Sequence, residues 1–579
     1  MLLAALLPAL PDVVNAQFIF TTNNGAIIIT GYNGSPGSIV IPDTTNGYPV
    51  TSIGNSAFAN RTMTNVTIPS SITSIGSVAF GYCSNLRNVT IPNGVSNIDN
   101  STFFSCFSLT NVTIPPSITN IGSTAFEYCS SLKSVTIPNR VLKVGGGAFN
   151  YCSVMTNVTV GGYVLSLWTQ PFAYCYKLTA ITVNPTNVLY SSTNGVLFDR
   201  NQSTLLECPM GKAGVYTVPD SVVSIQQDSF NGCTNLTSVA MGAKVLSISI
   251  SAFSGCGGLT NVVMNTNLVS ISAGAFSGCS NLTSVTVPSK VSYIGDSAFS
   301  ACSKMAAIIV DTDNSWYSTI DGVLFDKSQA TLLEYPPGAS GGYTVPDCVT
   351  TIAKHSFTGC AKLTSVIIPD SVTSIADEAF GGAGMTNITI GTNVTSIGAA
   401  TFEFCTRLTS LTIPSSVTSI GWEAFYECSA LTNVTISASV NSIGDEAFFW
   451  CTRLISVYFL GNAPNLGASP FGNTLNGVIY YLPGTTGWET FDAYSGGNAV
   501  VPWNPQAQTD DGSFGVQNDQ FGFNITGSSN LVIVVEACTD LANPTWTPVG
   551  TNTLTDGSSY FSDPQWTDYP GRFYRFRSP

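Results

Sequence analysis

The stretch Leu109–Ser131, LTNVTIPPSITNIGSTAFEYCSS, decides the fold, because the same pattern starts over at Leu132. Its landmarks condense to L-x-x-V-x-I-P-x-x-V-x-x-I-G-x-x-A-F-x-x-C-x-x. Working outward, Cys83, Cys106, Cys129, Cys152 and Cys175 fall every 23 residues, as do Cys233, Cys256, Cys279 and Cys302, and again Cys405, Cys428 and Cys451. With Cys360 the column holds thirteen cysteines, and a phenylalanine such as Phe80, Phe103 or Phe126 lies three residues before. About sixteen copies run from Phe58 to a degenerate last one at Phe471. A fixed period of this length means stacked supersecondary units and overrides the four or so domains that length alone suggests.

A longer period is superimposed. From Cys175 to Cys233, and from Cys302 to Cys360, the step is 58 residues. Each gap carries an atypical segment, VLYSSTNGVLFDRNQSTLLECPM from Val188 and WYSTIDGVLFDKSQATLLEYPP from Trp316, offset by 127 residues. G-V-L-F-D followed by T-L-L-E predicts a β-hairpin with a polar turn, Arg200 to Ser203 in the first insert and Lys327 to Gln329 in the second.

Within the unit, L-x-x-V-x-I places Leu109, Val112 and Ile114 inward around a short strand. The proline that follows has no N–H to donate and ends the ladder. V-x-x-I-G adds two core positions, its glycine permitting a tight bend, and A-F-x-x-C reads as a single helical or 3₁₀ turn. Stacked copies pair in parallel at ~4.8 Å per coil, and each coil is too small to bury a core alone. The expected class is therefore a β-rich α/β solenoid, a parallel-strand arc with two hairpin-type inserts and a small C-terminal β-sandwich-like domain.

These landmarks resemble the BspA-like, treponemal-type leucine-rich repeat surface proteins, whose unit shares L-x-x-L-x-L-P, I-G, A-F and C. The resemblance covers residues 51 to 474, and the G-V-L-F-D inserts look like segments that recur in that family. Ala383 stands where a cysteine is expected, and Arg61 holds that place in the first unit. The resemblance implies a bacterial protein, secreted or at the cell surface, that attaches to host or matrix proteins.

Composition narrows the function. Of 579 residues, 19 are Lys or Arg and 33 Asp or Glu, 9% in all, against roughly 25% in an average soluble protein. Nineteen dispersed cations make no footprint for nucleic acid. After residue 16 no apolar run reaches the ~18 residues of a spanning helix, and 44% hydrophobic residues exclude a disordered chain.

The domain reading follows the texture. Residues 1–16, MLLAALLPALPDVVNA, look like a secretory signal without its basic n-region, a buried first strand being the other reading. Residues 17–50 cap the first coil, with Ala26–Thr30 and Ser38–Ile41 as candidate strands. The solenoid spans 51–474, with inserts near 184–218 and 311–345. Residues 475–505 form a C-terminal cap and linker, and 506–579 a small β-sandwich-like domain rich in alternating runs. Its last strand carries Arg572, Arg575 and Arg577, read either as an anion site or as a half-buried edge.

No motif carries chemistry. The single histidine, His355, lies in a repeat turn, and no nucleophile elbow, phosphate loop or clustered metal ligands occur, so no catalytic residue, metal or cofactor is assigned. The thirteen column cysteines, an odd number, read as a buried thiol ladder and not as disulfides; Cys208 and Cys348 lie outside it. Function then falls to the surface. The strand residue between Val and Ile forms an outward column, Thr67, Thr90, Thr113, Thr136, Thr159 and Thr182 on one stretch, broken by apolar Val263, Ile309 and Ile367 and ending at Tyr458. Threonine suits an exposed strand in any case; the functional reading is a nearly uncharged recognition face, joined by Tyr190, Trp316 and Tyr317 on the inserts. The leading function is a non-enzymatic adhesion or binding protein with a protein or glycan partner. The alternatives are a self-associating structural surface protein and a polysaccharide-targeting accessory module.

Overall fold

In a computed structural model, residues 17–168, 170–474, 477–529 and 531–577 are described; the segment 1–16 read as a signal lies outside them. The chain divides into two compact units, residues up to 304 with 310–316, and 305–309 with 317 onward.

Both units are β-solenoids. The L-x-x-V-x-I strand forms as expected, Asn111–Thr113 pairing in parallel and in register with Asn88–Thr90. A second parallel ladder accompanies it where only a half-turn is legible in sequence: Asn97–Ile98, Asn120–Ile121, Lys143–Val144 and Ser166–Leu167 stack in order. Between its two strands the chain turns on the proline in coils such as those of Pro92, Pro115 and Pro138, and on Gly161, Gly242 or Gly391 in others.

The helical content expected from A-F-x-x-C is absent. Among the described residues only the 3₁₀ segments Trp488–Tyr494 and Trp566–Asp568 are helical. The A-F segment is a pair of tight turns instead. Ser101 and Ser105 both have left-handed φ, 56° and 57°, and this turns alternate amides toward the next coil. Ser101, Phe103 and Ser105 N–H donate to Ser123, Ala125 and Glu127 carbonyls at 3.0, 2.8 and 2.8 Å. Bonds to the neighbouring coil replace the i→i−4 bonds a helix would need.

The core is a column of rings. Phe58, Phe80, Phe103, Phe126 and Phe149 lie 5.2–5.4 Å apart and nearly parallel. Phe18 and Tyr32 cover its first ring. In the second unit the column runs from Tyr335 through Phe357 and Phe380 to Phe471, and Phe459 and Phe491 cover its end. Beside the rings runs the cysteine column. Cys106 and Cys129 Sγ donate to the Phe80 and Phe103 carbonyls at 3.2 and 3.3 Å, and Ala383 fills its place as a buried methyl. All sixteen cysteines are free thiols, Cys208 buried and Cys348 exposed, and Cys348 alone is exposed. Burial pushes the Cys83, Cys106 and Cys129 thiols up, Cys83 to about 11. Ellman's reagent on the native protein is therefore expected to titrate one thiol quickly, and all sixteen only after denaturation.

The glycine of I-G serves coil contact. Neither Gly122 nor Gly145 has a left-handed φ, so the expected tight bend is not its role. A Cβ at Gly145 would stand 2.4 Å from Ser123 N of the previous coil, and one at Gly122 would stand 2.6 Å from Asn100 N. Gly145→Ala is expected to cost about 1–3 kcal/mol, the range of overpacking, read from the urea midpoint.

Each insert is a three-stranded antiparallel meander. Tyr190–Thr193 pairs with Val196–Asp199, which pairs with Thr204–Glu207, and the last strand joins the second ladder at Ser224–Ile225. Tyr317–Ile320, Val323–Asp326 and Thr331–Glu334 repeat this in the second unit. Residues 506–577 form two antiparallel sheets around Phe523, Ile525, Ile533 and Val535.

Candidate binding surface

Strand alternation sets the outward column. Val112, Val135 and Val158 turn toward the core, while Thr113, Thr136 and Thr159 face outward. In the first unit Thr67, Thr90, Thr113, Thr136 and Thr182 are exposed and Thr159 half-buried. Register is exact enough that like meets like: Thr113 opposes Thr90, and Thr159 lies between Thr136 and Thr182. Val263 is exposed in the first unit, Ile309 and Ile367 in the second.

The insert aromatics are held from beneath by an asparagine that the sequence reading passed over. Asn187, 1% exposed, donates through Nδ2 to Gly161 and Val164 carbonyls at 3.0 Å and accepts Leu189 and Tyr190 N–H at Oδ1. Asn314 does the same for Pro288 and Val291 carbonyls and Trp316 N–H. Trp316 is exposed and Tyr317 half-buried. Tyr190 is also half-buried, its Oη accepting Leu167 N–H at 3.1 Å. The identity of Asn187 and Asn314 at an offset of 127 residues was the signal for them.

Tyr458 departs from the expected surface. It is 2% exposed and stacks on Tyr480 at 5.1 Å, in a core shared with Phe523, Ile533 and Val535 of the C-terminal sheets. Those sheets cover the last coils, so the column position of Tyr458 no longer faces water. The arginines of the final strand are engaged internally. Arg575 and Arg577 hold Glu536 at 2.7 and 2.6 Å, and Arg572 holds buried Asp563 at 2.5 Å, where Tyr574 Oη also donates. Burial alone would raise Glu536; the hydrogen bonds from Arg577 and Arg575 outweigh it and hold the carboxyl below its usual range. This strand lies at a sheet edge, as the second of the two sequence readings has it.

A further surface was not legible in sequence. Tyr82, Phe104, Tyr128, Tyr151 and Tyr174 form a ribbon on the turn side of the first unit, the last three stacked at 4.5 and 4.3 Å. His355 lies 3.4 Å from Glu378, which also pairs with Lys354. Among the described residues no group of three or more His, Cys, Asp or Glu could hold a metal ion, and no helix is long and apolar enough to cross a membrane.

The parallel two-ladder β-solenoid of 23-residue coils fits a leucine-rich repeat protein. The profile of the BspA type leucine rich repeat region matches in six copies over residues 51–179, 213–330 and 342–456, more than half of the chain, and the chain belongs to that family. Among solved structures it is similar to a leucine rich cell surface protein from Faecalibacterium prausnitzii, at 26% identity over 77% of this chain and 94% of that one, TM-score 0.39. It is similar also to the pneumococcal vaccine antigen PcpA, at 15% identity over 84% and 96%, TM-score 0.43. A leucine-rich repeat protein from Bacteroides ovatus aligns at 24% identity over 76% and 93%, TM-score 0.32. No curated protein matches the chain.

Proposed function

We propose that the chain is a non-catalytic binding protein of a bacterial surface, presenting the outward strand face of its repeats to a protein or glycan partner. The observation that carries this reading is the outward, uncharged threonines of two parallel sheets, Thr67, Thr90 and Thr113 on one and Thr136, Thr159 and Thr182 on the other. Threonine hydroxyls carry no charge and do not titrate near neutral pH, so the affinity of such a face comes from area and shape. Family membership supports the same reading. It assigns residues 1–16 to a secretion signal, 17–50 to an N-terminal cap, 475–505 to a C-terminal cap and linker, and 506–579 to a small β-sandwich-like domain.

Intact protein immobilised on beads, exposed to host and microbial-community extracts, is expected to retain a partner that free chain competes away. Retention of nothing that is competed contradicts the reading. Light scattering across a concentration series addresses the structural alternative: a constant monomer mass is expected, and growth with concentration favours self-assembly.

A further inference from the structure

The second ladder of the first unit is interrupted at the first insert. It ends on Ser166–Leu167 and restarts with Thr204–Glu207, and between the two lies a cavity of about 210 Å³. Trp168, 54% exposed, stands at its wall with Lys143 Nζ 5.3 Å from the ring centroid. Gln170, Gln226 and Gln227 contribute three amides to the lining, and Gln170 is tethered by Nε2 to the Asp228 carbonyl at 3.2 Å. The innermost polar group is Glu207. Its side chain is on the buried face of its strand, 8% exposed, and among the described residues no hydrogen-bond donor reaches its carboxyl. It also lines an adjoining space that reaches Tyr174, the end of the aromatic ribbon.

A buried carboxyl without a donor is costly unless something satisfies it. Among the described residues no Lys or Arg lines the cavity, so no cation balances the carboxyl there. The duplicated block supplies an internal comparison: Glu207 has its counterpart in Glu334, but Trp168, Gln170, Gln226 and Gln227 correspond to Gly295, Ser297, Ala353 and Lys354. The carboxyl belongs to the insert; the indole and the amides are particular to the first copy.

We infer that this cavity is a binding site for one neutral sugar unit, the end of a glycan, with Trp168 against its C–H face and the amides and Glu207 on its hydroxyls. Side-chain amides and carboxyls both donate and accept toward vicinal hydroxyls, and an indole offers a flat apolar face with a polar edge. The volume lies below the roughly 300–1,000 Å³ of drug-sized pockets, which sets the limit at a single ring. Burial pushes the Glu207 carboxyl up to about 8, so at neutral pH it carries a proton to donate, which suits a hydroxyl better than a cation. The inference deepens the proposed binding role and rests on that reading of the chain as non-catalytic.

The test uses the full chain and a panel of neutral methyl hexosides and N-acetylhexosaminides, followed by Trp fluorescence and saturation-transfer NMR. At least one glycoside is expected to bind saturably. Trp168→Ala and Glu207→Leu should each weaken it at least tenfold, with Glu207→Gln within threefold of the parent and Glu334→Leu without effect. Trp168 is exposed, so its variant reports on the site even where Glu207→Leu fails to fold. Absence of saturable binding across the panel, binding indifferent to Trp168→Ala, or preference for methylammonium over every glycoside overturns the inference. Partner capture from extracts that persists in Trp168→Ala leaves the surface reading standing while the pocket falls.

Discussion

Phe126→Ala is expected to cost about 3–5 kcal/mol, the range for truncating a fully buried phenylalanine. Phe126 is 0% exposed and stacks on Phe103 and Phe149, each at 5.2 Å, within 11° and 3° of parallel. In a solenoid stability is a sum of coils and the interfaces between neighbours, and one ring serves two interfaces. The void it leaves is bounded by backbone fixed in two strand ladders and in the turn bonds between coils, such as Phe126 N–H to the Ala148 carbonyl at 2.8 Å, so collapse into it is limited. The loss should be visible as a shifted urea midpoint and as early amide exchange in the coils carrying Phe103 and Phe149, with distant coils retaining protection. Thr113→Ala on the outward face should stay within about 0.5 kcal/mol. Equal effects for the two would contradict the ring column as the source of stability.

Glu207→Gln is expected to stabilise the protein at pH 8 and to leave it nearly unchanged at pH 4.5. Desolvation raises the Glu207 carboxyl from 4.5 to about 8. The groups that face it are the Cys175 and Cys233 thiols, themselves raised, and Asp228 on the adjoining space; none offers it a positive charge. In the window between 4.5 and about 8 the folded chain keeps a proton that the unfolded chain has released. Stability is therefore full below the window, falls as pH rises through it, and levels off above. At about 1.4 kcal/mol per pH unit, the gain from glutamine at pH 8 is on the order of 4 kcal/mol. Urea titrations of both proteins at the two pH values check it; a difference that does not change with pH would show that Glu207 is not held protonated.

The repeat, its first strand, its proline stop and its cysteine column were legible because a core position filled by the same residue every 23 residues needs no tertiary information. The second strand was not, since two residues such as Asn120–Ile121 carry no periodicity of their own. The non-helical A-F turn escaped for a different reason. Its left-handed positions are held by glycine in some coils, as at Gly232, Gly255 and Gly278, but by Ser101, Tyr128 and even β-branched Val78 in others, which blurs the signal. Tyr458 was misjudged because its cover, Phe523 to Val535, lies more than sixty residues away in sequence. Glu207 could have been found: in T-L-L-E it alternates onto the same face as Leu205, and that face is the buried one.

The central claim is recognition through the neutral outward face, and charge placed in that face tests it most directly. Thr90 and Thr136 are exposed and sit on alternate coils, so two lysines there add charge without becoming direct neighbours. The measurement is binding of the intact protein and of the Thr90→Lys/Thr136→Lys variant to an immobilised panel of host matrix proteins and mucin-type glycans by surface plasmon resonance, with thermal melts as the folding control. The expected result is saturable binding to at least one member, lost at least tenfold in the variant at an unchanged melting temperature. No binding to the panel, or equal binding by both proteins, would contradict the account.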